Sequence, residues 1–309
     1  MNEIDGYFRL RREMAALATE AFATGRNVVN TLLQRFPDAK QEAIEIAYEL
    51  QAGSYTAGRD IPDVRTYRTE QHGILAREVL PLCEGVSGRH CSILDAGTGE
   101  GTGWYTFDFA AAPVSTLHAV DISIRRLSYL KKNIVAPASL SVAAVRADLR
   151  DLPYRLGSFD LVVTMHAIEP NGGSEDEIVR DLAGLSSNVL CLFEPDHASA
   201  SPDARARMKS LGYAETTFAA ARGLADFNVV FERTLQSVTN PLNPTSVICL
   251  QRKEPFRATI RRKSPSADLD LVDQGDHFAE TGLGASAIFP VVDGIECLRK
   301  TDAILKLGD

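Results

Sequence analysis

The chain has 309 residues, 45% of them hydrophobic and 24% charged, with a formal net charge of −8. That length can bury a substantial core, so one large domain with additions is expected. The acidic balance argues against a general nucleic-acid binder, which must neutralise phosphates. No apolar run is long enough to span a bilayer, since the uncharged stretch from Thr234 to Gln251 carries two Asn and two Pro.

Residues 1–52 carry helical patterning, with Leu10, Met14, Leu17 and Phe22 predicted on one side. Further helices are predicted from Asn27 to Phe36 and from Ala39 to Leu50, and together they read as a helical cap. Arg59 to Arg65, which contains Pro62, reads as a connection, and Glu70 to Leu82 as a helix entering the first strand. Strands are predicted at Ser92–Leu94, Leu117–Ile122 and Leu140–Val145, with a fourth opening at Asp160. A helix follows from Glu175 to Leu185, a strand from Val189 to Phe193 and a helix from Pro202 to Leu211. Two last strands are expected at Phe227–Phe231 and Ser246–Gln251. The alternation implies an α/β core over 86–253, a helical cap over 1–85 and a separate small β-rich unit over 254–309. The basic run Arg257 to Lys263 reads as a solvated strand or linker face.

Five cysteines, at 83, 91, 191, 249 and 297, form no C-x-x-C pair, and Cys191 and Cys249 sit in apolar runs that suit a core. The odd count without framework spacing points to a reducing compartment. The opening Met-Asn-Glu-Ile-Asp is acidic, unlike a signal peptide, so a soluble cytoplasmic protein is expected.

The most informative segment is Cys91-Ser-Ile-Leu-Asp-Ala-Gly-Thr-Gly-Glu-Gly-Thr-Gly103. It reads as a buried strand that ends in an acid, breaks into a glycine-rich turn and starts a helix near Thr102. Glycines at 97, 99 and 101 let a ligand approach the backbone, and a helix N-terminus would offer unpaired N–H groups. Dinucleotide folds favour G-x-G-x-x-G, whereas the spacing here is G-x-G-x-G. Asp95 would repel a pyrophosphate but suits an ammonium group. Asp121 follows Gly97 by 24 residues, near the offset at which such folds hold ribose hydroxyls.

In these features the segment resembles the first motif of class I S-adenosylmethionine-dependent methyltransferases. The second strand ending at Asp121, the run Arg146-Ala-Asp148-Leu149 and Ser158-Phe-Asp-Leu-Val-Val-Thr-Met-His166 match that family's later motifs in order. The resemblance implies a Rossmann-like seven-stranded sheet, S-adenosylmethionine as cofactor with S-adenosylhomocysteine as product, and no metal. It implies that Asp95, Gly97, Thr98 and Gly99 cradle the methionine end of the cofactor. Asp121 and Ile122 would meet the ribose, Asp148 and Leu149 the adenine, and Met165 the far wall. Tyr48-Glu-Leu-Gln-Ala-Gly-Ser-Tyr55 resembles a segment of small-molecule methyltransferases in which a tyrosine closes over the methionine end, and Tyr55 is the expected one.

Catalytic groups are expected where strands four and five end. Met165-His-Ala-Ile-Glu-Pro-Asn-Gly-Gly173 offers His166 as base or orienting group, then Glu169, while Phe193-Glu-Pro-Asp-His197 offers Glu194. Helix capping competes as an explanation for Glu194 and Asp196. Asn171, His197, Asn240 and Asn243 are expected to contact the acceptor, the last two from the stiff loop Asn240-Pro-Leu-Asn-Pro-Thr245.

The tail segment Ala287-Ile-Phe-Pro-Val-Val-Asp-Gly-Ile-Glu-Cys-Leu298 resembles the last hairpin of zinc-ribbon-like modules that accompany some methyltransferases. Those modules' cysteine pairs are missing, so four-ligand zinc coordination is not expected. A metal-free remnant used for packing or for homodimerisation is the reading. The activity so implied is N- or O-methylation of a polar small molecule, such as a specialised metabolite or surface-sugar precursor. An RNA or protein methyltransferase and a non-catalytic cofactor-binding subunit are the alternatives.

Overall fold

The structure is a computed structural model that describes residues 3–87, 90–282 and 286–306. Its helical cap comprises α1 (Glu3–Ala23), α2 (Val28–Arg35), α3 (Lys40–Gln51), α4 (Ser54–Gly58), α5 (Pro62–Ile74) and α6 (Leu80–Ser87). Leu10, Met14 and Leu17 pack inward as expected, but Phe22 is exposed and the smaller Ala18 and Ala21 take the buried positions. Asn27 caps α2 by accepting from the Asn30 N–H at 2.8 Å. Pro62 lies in the first turn of α5, not in a loop, because a first-turn proline loses no intrahelical bond. A π-helical stretch, Leu75–Val79, joins α5 to α6.

The core runs β1 (Cys91–Ala96), β2 (Val114–Asp121), α7 (Ile124–Leu127), α8 (Leu130–Asn133), β3 (Ser141–Arg146), β4 (Phe159–Met165), α9 (Glu175–Leu185), β5 (Ser186–Pro195), α10 (Pro202–Ser210), α11 (Thr217–Arg222), β6 (Phe227–Thr234) and β7 (Thr245–Arg252). These strands lie in the order β6-β7-β5-β4-β1-β2-β3, parallel except for β7, which runs antiparallel to both β5 and β6. Every residue of β1 and β5 is buried, as befits parallel strands covered on both faces. Alternate residues serve opposite faces: Ile93, Leu161 and Cys191 pack on one side, Leu94, Val162 and Leu190 on the other.

The helix expected near Thr102 does not form. A single 3₁₀ turn, Thr102–Trp104, follows the glycines, and the chain reaches β2 without an α-helix. Trp104, Phe107 and Phe109 occupy the space instead, with ring centroids 4.8–5.4 Å apart. Their buried aromatic area covers the sheet face that a crossover helix ordinarily covers.

The tail contributes β8 (Leu271–Asp273), β9 (His277–Glu280), β10 (Ser286–Val292), β11 (Ile295–Cys297) and β12 (Ile304–Lys306). Asp293 and Gly294 both adopt positive φ and join β10 to β11 in a two-residue hairpin, as the Asp-Gly pair implied. The tail is continuous with the core, because β11 pairs parallel to β3 and extends the sheet to twelve strands. Among the described residues no group of metal-ligating side chains gathers there.

Cap, core and tail meet at Glu45. Its buried carboxylate on α3 accepts from Arg11 at 2.8 Å, and from Arg146 and Arg299 at 2.7 Å each. Arg146 also pairs with Asp302. Burial alone would push the Glu45 carboxyl up, but the three guanidiniums outweigh it and hold the pKa at about 2. With a folded-state value below the ordinary one, the stabilisation is complete above pH 4.5 and is lost as pH falls toward 2. Glu45→Gln should therefore cost roughly 3 kcal/mol at neutral pH. Denaturant titration of both forms should show that difference vanish near pH 2, and a constant difference would refute the assignment.

Candidate active site

A cavity of about 370 Å³ opens at the carboxyl ends of β1, β2 and β4, where open α/β sheets bind ligands. Its floor is the glycine turn. Gly97 and Gly99 have φ of +83° and +60°, and a Cβ at either would strike Ala167 or the Arg126 guanidinium. Glu100, between the glycines, turns away from the cavity. Its carboxylate accepts from the N–H groups of Gly53 (2.9 Å) and Thr56 (2.7 Å) and so caps α4. Asn133 completes the tie, donating to the Glu100 carbonyl and the Thr56 hydroxyl at 2.7 and 2.8 Å. The roof is thereby bound to the floor. Gln41, Ile44 and Tyr48 line the cavity from one face of α3, Tyr55 from α4, and Tyr67 and Arg68 from α5.

Asp95 is buried at the end of β1. One carboxylate oxygen accepts from the Trp104 indole N–H at 2.6 Å, and the other has no partner among the described residues. Burial pushes its pKa up to about 6. Arg68, also lining the cavity, has a buried Nε that lacks an acceptor. One carboxylate oxygen of a buried acid and one N–H of a buried guanidinium, each left without a partner on the same cavity, suit the ammonium and carboxylate of an amino-acid moiety.

Asp121, at the end of β2, accepts from Gly99 N–H and Ser123 N–H at 2.9 Å each and meets Arg126 at 3.5 Å. A carboxylate has about four lone-pair sites, so one remains for a hydroxyl. Arg126 lies against the rings of Tyr48 and Tyr55, 4.6 and 5.1 Å from their centroids. Thr98, Ile122, Asp148, Leu149 and Met165 all line the cavity, and Asp148 pairs with Arg150 at 3.2 Å. Gly99 is not on the lining; its missing side chain makes room for Arg126.

Beyond β4 the backbone bends at His166, whose φ of +59° is strained for a residue with a side chain. The strain is held by its N–H bond to Phe193 O (2.9 Å) and by both ring nitrogens, Nδ1 to Glu169 Oε2 (2.9 Å) and Nε2 to Thr245 Oγ1 (2.6 Å). Thr245 in turn bonds the Tyr67 hydroxyl at 2.9 Å. Burial alone would lower the His166 pKa, but Glu169 and Glu194 outweigh it and raise it. Both ring nitrogens of His166 are therefore engaged within the protein. Asn243 donates to the same Glu169 oxygen at 3.1 Å, and Glu169 lines the cavity.

Two further expected site residues lie elsewhere. Glu194 is buried behind the loop and off the cavity, where Oε1 accepts from the Ala167 and Ile168 N–H groups at 2.9 and 3.2 Å. His197 is also off the lining and faces Glu215 at 3.8 Å. Asn171, Asn240 and Asn243 do line the cavity, though the Asn171 amide is engaged with Gln41 and the Ala167 carbonyl. Arg68, Arg126 and Arg207, on cap and connecting helices, and Tyr213, just past α10, were missed, because single residues carry no spacing signal.

This sheet order, with the glycine turn and its ring of acids, is the arrangement expected of a class I S-adenosylmethionine-dependent methyltransferase. The family model described as a methyltransferase domain matches residues 93–183. No curated protein matches the chain significantly. Among solved structures, magnesium protoporphyrin IX methyltransferase from Synechocystis is similar at 15% identity and TM-score 0.46, over 62% of this chain and 86% of that one. A chain of the methyltransferase–activator complex from Haloferax volcanii gives 16% and 0.48 over 65% and 96%. An N-methyltransferase from Bradyrhizobium japonicum gives 15% and 0.45 over 64% and 91%.

Burial pushes the Glu194 pKa up to about 7, against the opposing pull of His166. A carboxyl raised in the folded state costs stability as pH climbs from its ordinary 4.5 to about 7. Glu194→Gln keeps an oxygen for the two N–H groups, so turnover should stay within about twofold while that loss disappears. Thermal melts from pH 4.5 to 8 alongside rate assays check both, and a 100-fold slower variant would restore Glu194 as the base.

Proposed function

We propose that the protein moves a methyl group from S-adenosylmethionine to a nitrogen or oxygen of a polar small molecule, in the cytoplasm, on a biosynthetic route to specialised metabolites or surface-sugar precursors. The observation that carries the small-molecule reading is the roof. Helices α3, α4 and α5 and the loop around Asn240 and Asn243 all contribute to the walls, and about 370 Å³ is a ligand pocket's volume and not a polymer's groove. Among the described residues no helix is long and apolar enough to cross a membrane.

In this reading Asp95 and Arg68 hold the methionine end, Asp121 the ribose, and Asp148 with Leu149 the adenine. The cofactor supplies an already activated methyl carbon. The chain's own work is then to align a nucleophile and exclude water. Glu169 does the aligning: His166 and Asn243 fix its Oε2, and Oε1 accepts the acceptor's N–H or O–H. An amine attacks and sheds its proton afterwards, whereas a hydroxyl gives its proton to Glu169 during attack. His166 is the positioning group, set by Thr245 on its far side.

Incubation of the protein and a small-metabolite extract with methyl-labelled S-adenosylmethionine should place label in the low-molecular-weight fraction. Label confined to protein or RNA would overturn the reading. Glu169→Gln should slow that transfer about 100-fold with donor affinity unchanged, while Asp95→Asn should weaken donor binding about tenfold in calorimetry.

A further inference from the structure

Two further unsatisfied groups line the cavity, on elements other than those that carry Asp95 and Asp121. Arg207, on α10, has a buried Nη1 without a hydrogen-bond acceptor, and among the described residues no carboxylate forms a salt bridge with it. Its guanidinium lies 5.7 Å from the centroid of the Tyr213 ring, which also lines the cavity. Asn243, from the loop before β7, has a buried Oδ1 without a donor, while its Nδ2 is spent on Glu169. The backbone brings the two walls together: the Ala214 N–H, next to Tyr213, donates to the Glu169 carbonyl at 2.8 Å. A buried guanidinium nitrogen left unpaired costs folding free energy, and an anion entering the cavity would recover it.

We infer that the methyl acceptor is an anion, carrying a carboxylate or phosphate that Arg207 binds, with a hydrogen-bond donor that Asn243 Oδ1 and Glu169 receive. The inference rests on the methyltransferase reading of this cavity and gives its acceptor a charge. The arrangement places attraction at one end of the acceptor and a carboxylate at the nucleophile's end. A neutral isostere would leave Arg207 Nη1 without an acceptor, and a substrate anionic at the reacting end would meet Glu169. Specificity thus comes from one attractive and one repulsive element. Arg207 is a specificity-determining residue and takes no part in donor binding, which lies on the β1, β2 and α5 side.

The test uses the full chain saturated with S-adenosylhomocysteine and measures binding by calorimetry. The anionic probes are 4-hydroxybenzoate and 4-hydroxyphenyl phosphate, and their neutral counterparts are 4-hydroxybenzamide and hydroquinone. Each anion should bind about tenfold or more tightly than its neutral counterpart, as expected for a charge-assisted hydrogen bond. The stronger of the two anions distinguishes a carboxylate from a phosphate acceptor. Arg207→Gln should erase the preference while S-adenosylhomocysteine affinity is unchanged, and Arg207→Lys should keep part of it. Equal binding of charged and neutral probes, no binding of either anion, or a preference that survives Arg207→Gln would overturn the inference. Failure of S-adenosylhomocysteine itself to bind would instead overturn the methyltransferase reading on which it rests.

Discussion

The geometry of the cavity depends on one buried carboxylate. Glu45 sits on α3 one residue past Ile44, so the turn that presents Ile44 and Tyr48 to the cavity turns Glu45 toward three arginines. Those arginines come from α1, from the end of β3 and from the tail. A lone charge buried there would be prohibitive, and three partners sharing it make α3's position the one that satisfies all of them. The tail is not an appendage in this scheme. Arg299 lies two residues past the end of β11, and the β11–β3 pairing places Cys297 against Arg146. Docking the tail therefore sets the arginine that docks the cap.

A second carboxylate does for the floor what Glu45 does for the roof. Glu100 lies between Gly99 and Gly101, where ligand binding would be the first guess for an acid, yet it caps α4. The glycine turn thus has two sides. Gly97 and Asp95 face the ligand, while Glu100 reaches outward and holds Gly53 to Thr56 above it. Because α4 has only five residues, it cannot persist by its own hydrogen bonds. The capping acid from the turn, together with Asn133, makes Tyr55 part of the wall.

Local chemistry was legible in the sequence, and convergence was not. The strand ends Asp95, Asp121 and Asp148 could be found because each follows an apolar run at a recognisable offset. The missing crossover helix was not legible, since the glycines that resemble a helix start are followed by Trp104, Phe107 and Phe109, whose packing outweighs helix propensity. Glu45 was invisible because its partners lie 34, 101 and 254 residues away. The parallel addition of β11 to β3 was hidden too: three residues carry no periodicity that could name a partner.

At the end of strand four, His166 and Glu169 are held as one hydrogen-bonded unit. A residue at the carboxyl end of a parallel strand ordinarily points along it into the crevice. His166 instead takes a left-handed backbone, at a cost of order 1 kcal/mol or more, which swings its ring between Glu169 and Thr245. Glu194 makes that bend possible from behind, since the Ala167 and Ile168 N–H groups freed by the turn have its carboxylate as acceptor. The strained turn and the buried acid are therefore one device, and its product is the placement of Glu169. A carboxylate held at one oxygen by imidazole and amide can present the other oxygen in a fixed direction. That directional constraint, more than basicity, is what methyl transfer to an already activated carbon requires.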